Sequence, residues 1–196
     1  SLSAQIEKCG GEPIPFEIIK DNPRILREKI EEALSKADMV LISGGSSVGT
    51  YDLTLKVMNS LTKGRVLTQG VAIKPGKPTI IAKVDDKIIF GLPGNPVSVM
   101  IVFRKIVEPT ILAMMNAKEK IRIVNAKLAR TVTSSTGREE YIRVRLEEQE
   151  GRLIAIPLHR GSANIVSLVK ADGLLKIPRL SEGMEKGQIV EVELWD

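Results

Sequence analysis

The hydrophobic pattern of this 196-residue chain changes its period near Lys118, and this change restricts the fold more than any other feature. Before it, short apolar runs alternate with segments whose apolar residues recur at helical spacing. After it, segments such as 141–146 and 189–194 alternate apolar and charged residues, as strands with one buried face do. We therefore expect an α/β domain at residues 1–118 and a small all-β barrel or sandwich at residues 119–196.

Three turns rich in glycine and proline adjoin apolar strand patterns in the predicted α/β domain. They are Ser43-Gly-Gly-Ser-Ser-Val-Gly-Thr-Tyr-Asp52, Lys74-Pro-Gly-Lys-Pro78 and Gly91-Leu-Pro-Gly-Asn-Pro-Val-Ser98. Such turns gather at the carboxyl ends of parallel strands, where helix N-termini bind anions. Lys74 and Lys77 add positive charge, and Asp52 adds a carboxylate that could hold a metal. Any one turn alone is typical of ordinary structure, but the three together predict a site for a dense anion.

The other elements of this domain are predicted from apolar periodicity and cap residues. Strands are expected at 13–19, 40–43, 66–73, 79–84 and 88–91. Four helices are expected. The first ends at Gly10-Gly11, the second starts at Asn22-Pro23 and the third starts at Asp52. The fourth runs from Asn95-Pro96 to about Met115. Because the last of these is apolar on nearly every side, we expect it to be buried in the core or at a homodimer contact.

The composition excludes several classes of protein. No apolar run approaches the ~18–20 residues of a membrane span, so we expect no membrane partner. A lone cysteine, Cys9, excludes an internal disulfide and fits a reducing, cytoplasmic compartment, and a lone histidine, His159, excludes a multi-histidine zinc site. The net charge is +5, but only 3% of residues are aromatic, so the sequence favours small anionic ligands over nucleic acid.

With these three motifs the chain resembles the molybdenum insertases, or molybdopterin molybdotransferases, a family that includes the MoeA-like proteins and the gephyrin E domain. In the second half, Gly137-Arg-Glu-Glu-Tyr141, Gly161-Ser162, Ser167-Leu168 and Ala171-Asp-Gly173 resemble the C-terminal barrel of the family. The resemblance covers essentially the whole chain. It implies a three-layer α/β/α domain of the molybdopterin-binding kind, followed by a small all-β barrel domain.

The resemblance also implies an activity: insertion of molybdate, or tungstate, into adenylylated molybdopterin with release of AMP. It implies a molybdate pocket lined by Lys77, Pro78, Ser98, Arg138 and Ser162. It implies that the pterin or its phosphate binds to the backbone amides of Ser43, Gly44, Gly45, Ser47 and Gly49. The turn residues expected to contact substrate as well are Pro93, Gly94, Asn95 and Pro96.

The catalytic residues implied in the same way are Lys74, Lys77 and Asp52. Lys74 would lie near the dithiolene or the phosphate, and Asp52 would bind Mg²⁺ at the pyrophosphate or orient water. From the residues alone, other interpretations stay open. Asp52 is also suited to cap a helix, Arg138 to be an exposed turn charge, and the two lysines to lie in a solvated loop.

The family carries further N-terminal domains and a first strand with an acidic turn before the residues present here. We therefore expect the α/β domain to lack its first strand and the chain alone to be inactive. Two alternatives remain open. The first is a molybdopterin adenylyltransferase-like pterin-binding domain, which the β region disfavours. The second is an inactive fragment or scaffold module of the insertase, comparable to a receptor-anchoring scaffold.

Overall fold

The chain divides into two compact units. The computed structural model describes residues 2–44, 48–158 and 166–195, and the backbone alone for residues 48–52. The first unit comprises Ser1–Val71 and Gly76–Lys118, and the second comprises Ala72–Pro75 and Glu119–Asp196. Two residues of the lysine loop, Lys74 and Pro75, therefore belong to the second unit, which the periodicity does not indicate.

The helices in chain order are α1 (Leu2–Lys8), α2 (Pro23–Lys36), α3 (Val48–Leu61), α4 (Pro96–Val102), α5 (Glu108–Met114) and α6 (Val166–Val169). The strands are β1 (Met39–Ser43), β2 (Val66–Gln69), β3 (Ile73–Lys74), β4 (Ile80–Val84), β5 (Lys87–Leu92), β6 (Ile123–Leu128), β7 (Val132–Thr133), β8 (Glu139–Gln149), β9 (Arg152–Pro157), β10 (Gly173–Ile177), β11 (Gly183–Met184) and β12 (Ile189–Leu194).

A mixed sheet flanked by helices forms the first unit, and its strands pair in the order β1-β5-β4-β2. β1 and β5 are parallel, whereas β4 runs antiparallel to both β5 and β2. Helices α2 and α3 and the sheet share one core of buried side chains: Leu26, Ile30, Ala33, Val40, Val57, Met58, Ile80, Ala82 and Ile89. The mixed α/β fold predicted for this part of the chain is confirmed.

Two of the predicted helix boundaries are explained by their caps. Helix α1 is followed by Gly10, whose φ of +86° lets the Gly11 N–H reach back to the Ile6 carbonyl. Helix α2 begins as predicted, because the Asn22 side chain accepts hydrogen bonds from two amides of the first turn and Pro23 occupies the first position.

The strand predicted at residues 13–19 is wrong, because this segment has no regular secondary structure. Phe16 and Ile19 instead pack against the core of the first unit, and the Lys36 ammonium lies 5.7 Å from the centre of the Phe16 ring. Ile14 and Ile18 of the same segment are exposed, so its apolar residues do not form one buried face. A strand also needs a partner for its hydrogen bonds, and the described sheet pairs none with this segment.

Two further boundaries differ from the prediction. The strand expected at 66–73 ends at Gln69, and Gly70 follows with a φ of +98°. Helix α3 begins at Val48 rather than at Asp52, so Asp52 lies in the second turn and is not the helix cap. The end of the loop before α3 therefore lies four residues earlier than the sequence indicated.

The long apolar helix is present, but it contains a π-helical stretch at Phe103–Val107 between α4 and α5. Pro109 explains this stretch, because proline lacks an N–H and its ring crowds the carbonyl four residues earlier. The Glu108 N–H accordingly donates to the Phe103 carbonyl, five residues back. Most apolar side chains of this helix are buried within the chain itself. This burial accounts for the apolar pattern without a dimer, which stays a prediction.

The second unit contains a closed β-barrel. β8 pairs with β9 through its second half and with β10 through its first half, and the circuit closes through β6 and β12. The turn between β8 and β9 is the predicted hairpin, with positive φ at Glu150 and Gly151. The core of the barrel consists of Ala126, Leu128, Val132, Ile142, Val144, Ala155, Leu175, Ile177, Val190 and Val192. The predicted β-barrel is confirmed.

Among the described residues, no helix is both long enough and apolar enough to cross a lipid bilayer.

Candidate functional site

Three of the predicted site segments meet at one end of the sheet in the first unit. Because Ser43 lies opposite Leu92 in parallel strands, the residues after β1 and after β5 leave the sheet at the same end. Because Ile80 lies opposite Gly91 in antiparallel strands, the residues before β4 also lie there. The segments brought together are Ser43 and Gly44, Lys77 and Pro78, and Pro93, Gly94, Asn95 and Pro96. The expected gathering of turns is therefore present in this unit, although β4 brings its loop by running in the opposite direction.

The second half of the lysine loop is held by hydrogen bonds to its own neighbours. The Val71 amide donates to the Lys77 carbonyl at 3.0 Å, and the Gly70 amide donates to the Thr79 carbonyl at 2.8 Å. The Thr79 hydroxyl donates to the Gly76 carbonyl at 2.7 Å, and Thr79 is fully buried. These bonds fix the backbone while Lys77 itself is exposed. The loop therefore presents a charged side chain from a rigid base.

The start of α4 differs from the expected set of free amides. The Asn95 Oδ1 accepts hydrogen bonds from the Val97 amide at 3.1 Å and the Ser98 amide at 3.4 Å, and Pro96 has no N–H to offer. The first-turn donors are therefore used within the protein. What remains for an anion is the positive end of the helix dipole and the hydroxyl of Ser98, whose residue is 6% exposed. A substrate contact by Asn95 stays a prediction.

A glycine permits the close approach of α3 to the sheet. A Cβ atom added at Gly91 would lie 3.3 Å from the Thr54 Cγ2 atom and 3.3 Å from the Ile80 Cβ atom. Both contacts are tighter than ordinary van der Waals contact. Gly91 thus sets the distance between α3 and β5, and with it the position of the end of the sheet where the three turns meet.

In the second unit, Lys74 pairs with a residue that the sequence reasoning missed. β3 and β8 are parallel neighbours with Lys74 opposite Glu140, and the Lys74 Nζ atom lies 3.2 Å from the Glu140 Oε2 atom. The Ser134 hydroxyl donates to the same oxygen at 2.6 Å. Glu140 lies within the motif at residues 137–141, but no pattern in the sequence connects it with the lysine loop.

Arg138 lies near the start of the same strand pair. It directly precedes β8, and the Glu139 amide donates to the Ala72 carbonyl at 2.9 Å, two residues before Lys74. The Gly137 amide bonds to the Arg179 carbonyl at 2.8 Å. Arg138 is half-buried, so it is not simply an exposed turn charge. The structure thus brings the predicted residues Lys74 and Arg138 into one small region of the second unit.

Burial shifts the pKa values of two polar side chains of β8, Tyr141 and Arg143. Burial, together with the hydrogen bond from its hydroxyl to Glu139 at 2.8 Å, raises the pKa of Tyr141 far above the ordinary range of a phenol. Burial lowers the pKa of the Arg143 guanidinium. Neither residue belongs to the predicted site, and Tyr141 makes its described contact with Glu139, which also lies near Lys176.

Several predicted site residues lie outside the described part of the chain. Gly45, Ser47 and Ser162 are in segments that are not described, and the side chains of residues 48–52, which include Gly49 and Asp52, are not described either. Within the described residues, no group of three His, Cys, Asp or Glu side chains could hold a metal ion. The magnesium site therefore stays a prediction.

Comparison with protein families gives two matches that together cover most of the chain. Residues 1–113 match the family model described as "Probable molybdopterin binding domain". Residues 125–195 match the model described as "MoeA C-terminal region (domain IV)". The boundary between the two matches falls where the hydrophobic period changes.

Curated proteins and solved structures agree with these matches. The chain is 33% identical over 188 residues to the molybdopterin molybdenumtransferase of a Nostoc species, covering 91% of this chain and 42% of that protein. It is 30% identical over 193 residues to the Bacillus subtilis protein of the same name, covering 97% of this chain and 45% of that protein. The crystal structure of a molybdopterin biosynthesis MoeA protein from Pyrococcus horikoshii superposes with a TM-score of 0.83 at 37% identity, covering 98% of this chain and 46% of that one. The chain thus spans less than half the length of these relatives.

Proposed function

The chain belongs to the MoeA family of molybdenum cofactor biosynthesis, and from this premise we propose that it takes part in inserting molybdate into adenylylated molybdopterin with release of AMP. The first unit would bind the pterin ligand and the oxyanion at the sheet end where its three turns meet. By resemblance to the family, Lys74 and Arg138 would also contact substrate. The activity of the whole enzyme is part of the proposal, because the chain covers less than half of each full-length relative.

The observation that carries the proposal is the meeting of the three motif segments at one end of the first unit's sheet. Register alone places Ser43, Lys77 and Pro93 at that end, although they are far apart in sequence. In open α/β sheets, ligands bind at the carboxyl ends of the parallel strands. This arrangement supports a role in binding for the three motifs.

The chemistry of the segments favours a compact dianion. Molybdate is tetrahedral and doubly charged, and an ammonium group on a flexible stem can turn its three N–H groups toward such an ion. The first-turn amides of α4 are occupied by Asn95, so the attraction would come mainly from Lys77 and from the helix dipole. Lys77 is therefore the residue of this unit on which anion binding should depend most.

The predicted Mg²⁺ ion does not fit the described residues by themselves, since they hold no cluster of metal-ligating side chains. Asp52 is the one residue proposed as a ligand, and its backbone lies in the second turn of α3. A single carboxylate is an incomplete site for Mg²⁺, which takes six ligands and keeps several waters. No step of the proposed reaction is therefore assigned to the metal.

The alternative of an adenylyltransferase-like pterin-binding domain accounts for the first unit only. The match of residues 125–195 to the C-terminal region of MoeA favours the insertase. A homodimer is part of the proposal by family membership alone.

Isothermal titration calorimetry tests the proposal directly. Molybdate and tungstate, added separately to the chain, should each give a saturating binding heat, and sulfate should bind at least several-fold more weakly because it is a smaller dianion. Equal binding of all three ions would contradict a molybdate site and would indicate general attraction to positive charge. Absence of binding by molybdate and tungstate would contradict the proposed function of this chain.

A further inference from the structure

A carboxylate that the sequence did not single out holds the ammonium group of Lys74. Lys74 and Glu140 lie directly opposite each other in the parallel pair of β3 and β8, so their side chains leave the same face of the two strands. The Lys74 Nζ atom lies 3.2 Å from the Glu140 Oε2 atom, which is the distance of a charge-assisted hydrogen bond. The contact therefore follows from the register of the strands and not from chance placement of two long side chains.

The Glu140 carboxylate is itself fixed. Its side chain is 5% exposed, and the Ser134 hydroxyl donates to the same Oε2 atom at 2.6 Å. A carboxylate so far removed from water is stable only when it is hydrogen-bonded or paired with a cation. The pair is thus asymmetric, with a buried and immobile anion beneath a lysine whose side chain is 41% exposed.

The neighbouring glutamate, Glu139, contacts different side chains. Glu139 accepts a hydrogen bond from the Tyr141 hydroxyl at 2.8 Å and lies 3.5 Å from the Lys176 ammonium. Its side chain is 37% exposed. Adjacent residues of a strand point to opposite faces, which is why the two carboxylates contact different cations. Glu139 is therefore a control for Glu140 that has the same charge and lies one residue away.

We propose that Glu140, supported by Ser134, is a positioning residue for Lys74 in the reaction of this family. The carboxylate occupies part of the hydrogen-bonding capacity of the ammonium and fixes the direction of its remaining N–H groups, which are then presented to the anionic substrate. A free lysine would have to lose the freedom of its four-carbon stem when substrate binds, and a fixed one has already lost it. This inference rests on the proposed function, since it concerns the same anionic substrate.

The direction in which Glu140→Gln changes the affinity for a dianion distinguishes a positioning role from a simple effect of charge. If Glu140 acted only as a nearby negative charge, its removal in Glu140→Gln would tighten the binding of a dianion. If Glu140 positions Lys74, the same change should weaken tungstate binding roughly three- to tenfold, from the lost preorganisation of one side chain. Ser134→Ala should weaken it in the same direction but less.

A double-mutant cycle by calorimetry with tungstate is the test. Glu140→Gln should weaken binding in the wild-type background and have no effect when Lys74→Ala is already present, because there is no ammonium left to position. Glu139→Gln, which removes an equal charge, should not weaken binding. Unchanged or tighter binding in Glu140→Gln, or an equal effect in the Lys74→Ala background, would overturn the inference.

Nuclear magnetic resonance separates this inference from the proposed function. An anchored Lys74 should show two distinct ε-methylene proton signals in wild type, and they should merge in Glu140→Gln but not in Glu139→Gln. If wild type binds no tungstate, the proposed function fails, yet these signals still report whether Glu140 holds Lys74. Merged Lys74 signals in the wild type would refute the positioning role even if tungstate binds.

Discussion

The fully buried hydroxyl of Thr79 donates a 2.7 Å hydrogen bond to the carbonyl of Gly76, across the turn that carries Lys77. Replacing Thr79 by Val keeps the shape but removes the donor, so the Gly76 carbonyl loses this partner. The free energy of unfolding should fall by about 1–3 kcal/mol. Urea denaturation measures the change, and Thr79→Ser, which keeps the hydroxyl, should cost less. Equal losses in the two variants would show that the hydroxyl does not hold the turn.

Gly91 should accept a side chain only at a cost in stability, because an added Cβ atom would press on both Thr54 and Ile80. We expect Gly91→Ala to lower the free energy of unfolding by about 1–3 kcal/mol through overpacking. Thr54→Ser removes the methyl group that the new Cβ atom would meet. The double variant should therefore recover part of the loss in urea denaturation. A Gly91→Ala protein as stable as wild type would mean that α3 moves away from the sheet at little cost.

Asn95 should matter for stability through its cap, apart from any contact with substrate. Asn95→Ala removes the acceptor for the Val97 and Ser98 amides and should cost about 0.5–2 kcal/mol. Asn95→Asp keeps an acceptor and should retain most of the stability. It should nevertheless bind tungstate more weakly, since it adds a negative charge at the proposed anion site. Denaturation and calorimetry on both variants check these outcomes, and unchanged tungstate affinity in Asn95→Asp would place the anion elsewhere.

Tyr141 should make the protein lose stability at alkaline pH. Burial, and next the hydrogen bond to Glu139, raise its pKa in the folded state above the value of about 10 in an unfolded chain. Above pH 10 the unfolded chain releases its phenol proton while the folded protein keeps it, so the free energy of unfolding falls as pH rises. Tyr141→Phe should flatten this decline in denaturation measured from pH 9 to pH 11. A variant with the same decline as wild type would exclude Tyr141 as its cause.

Local signals in the sequence were sufficient for much of the fold. The cap at Asn22 and the hairpin at Glu150 each follow from the chemistry of a few adjacent residues, and the structure has both. The strand predicted at 13–19 was wrong because the apolar residues of this segment do not share one buried face: Phe16 and Ile19 pack on the core, whereas Ile14 and Ile18 are exposed. Whether a neighbouring strand pairs with such a segment cannot be read from the segment alone.

In the candidate site too, the sequence indicates the local turns but not the contacts between distant segments. The meeting of Ser43, Lys77 and Pro93 at one sheet end was expected from their turns, although the direction of β4 was not. The partner of Lys74 could not be predicted, because Glu140 is 66 residues away and the contact depends on the pairing of β3 with β8. A two-residue strand added to a barrel leaves no periodic signal.

The central claim, that Lys77 provides the main attraction for a molybdate-like anion, is tested most directly by calorimetric titration of tungstate into wild type and Lys77→Ala. Loss of one charge-assisted hydrogen bond, about 1.5–3 kcal/mol, predicts affinity roughly ten- to a hundredfold weaker. Lys77→Arg should also bind more weakly, because a planar guanidinium suits a compact tetrahedral ion less well. Lys83→Ala is the matched control, since Lys83 lies on β4 away from this sheet end and pairs with Asp86. We predict weaker binding in both Lys77 variants and unchanged binding in Lys83→Ala; wild-type affinity in a folded Lys77→Ala protein would contradict the claim.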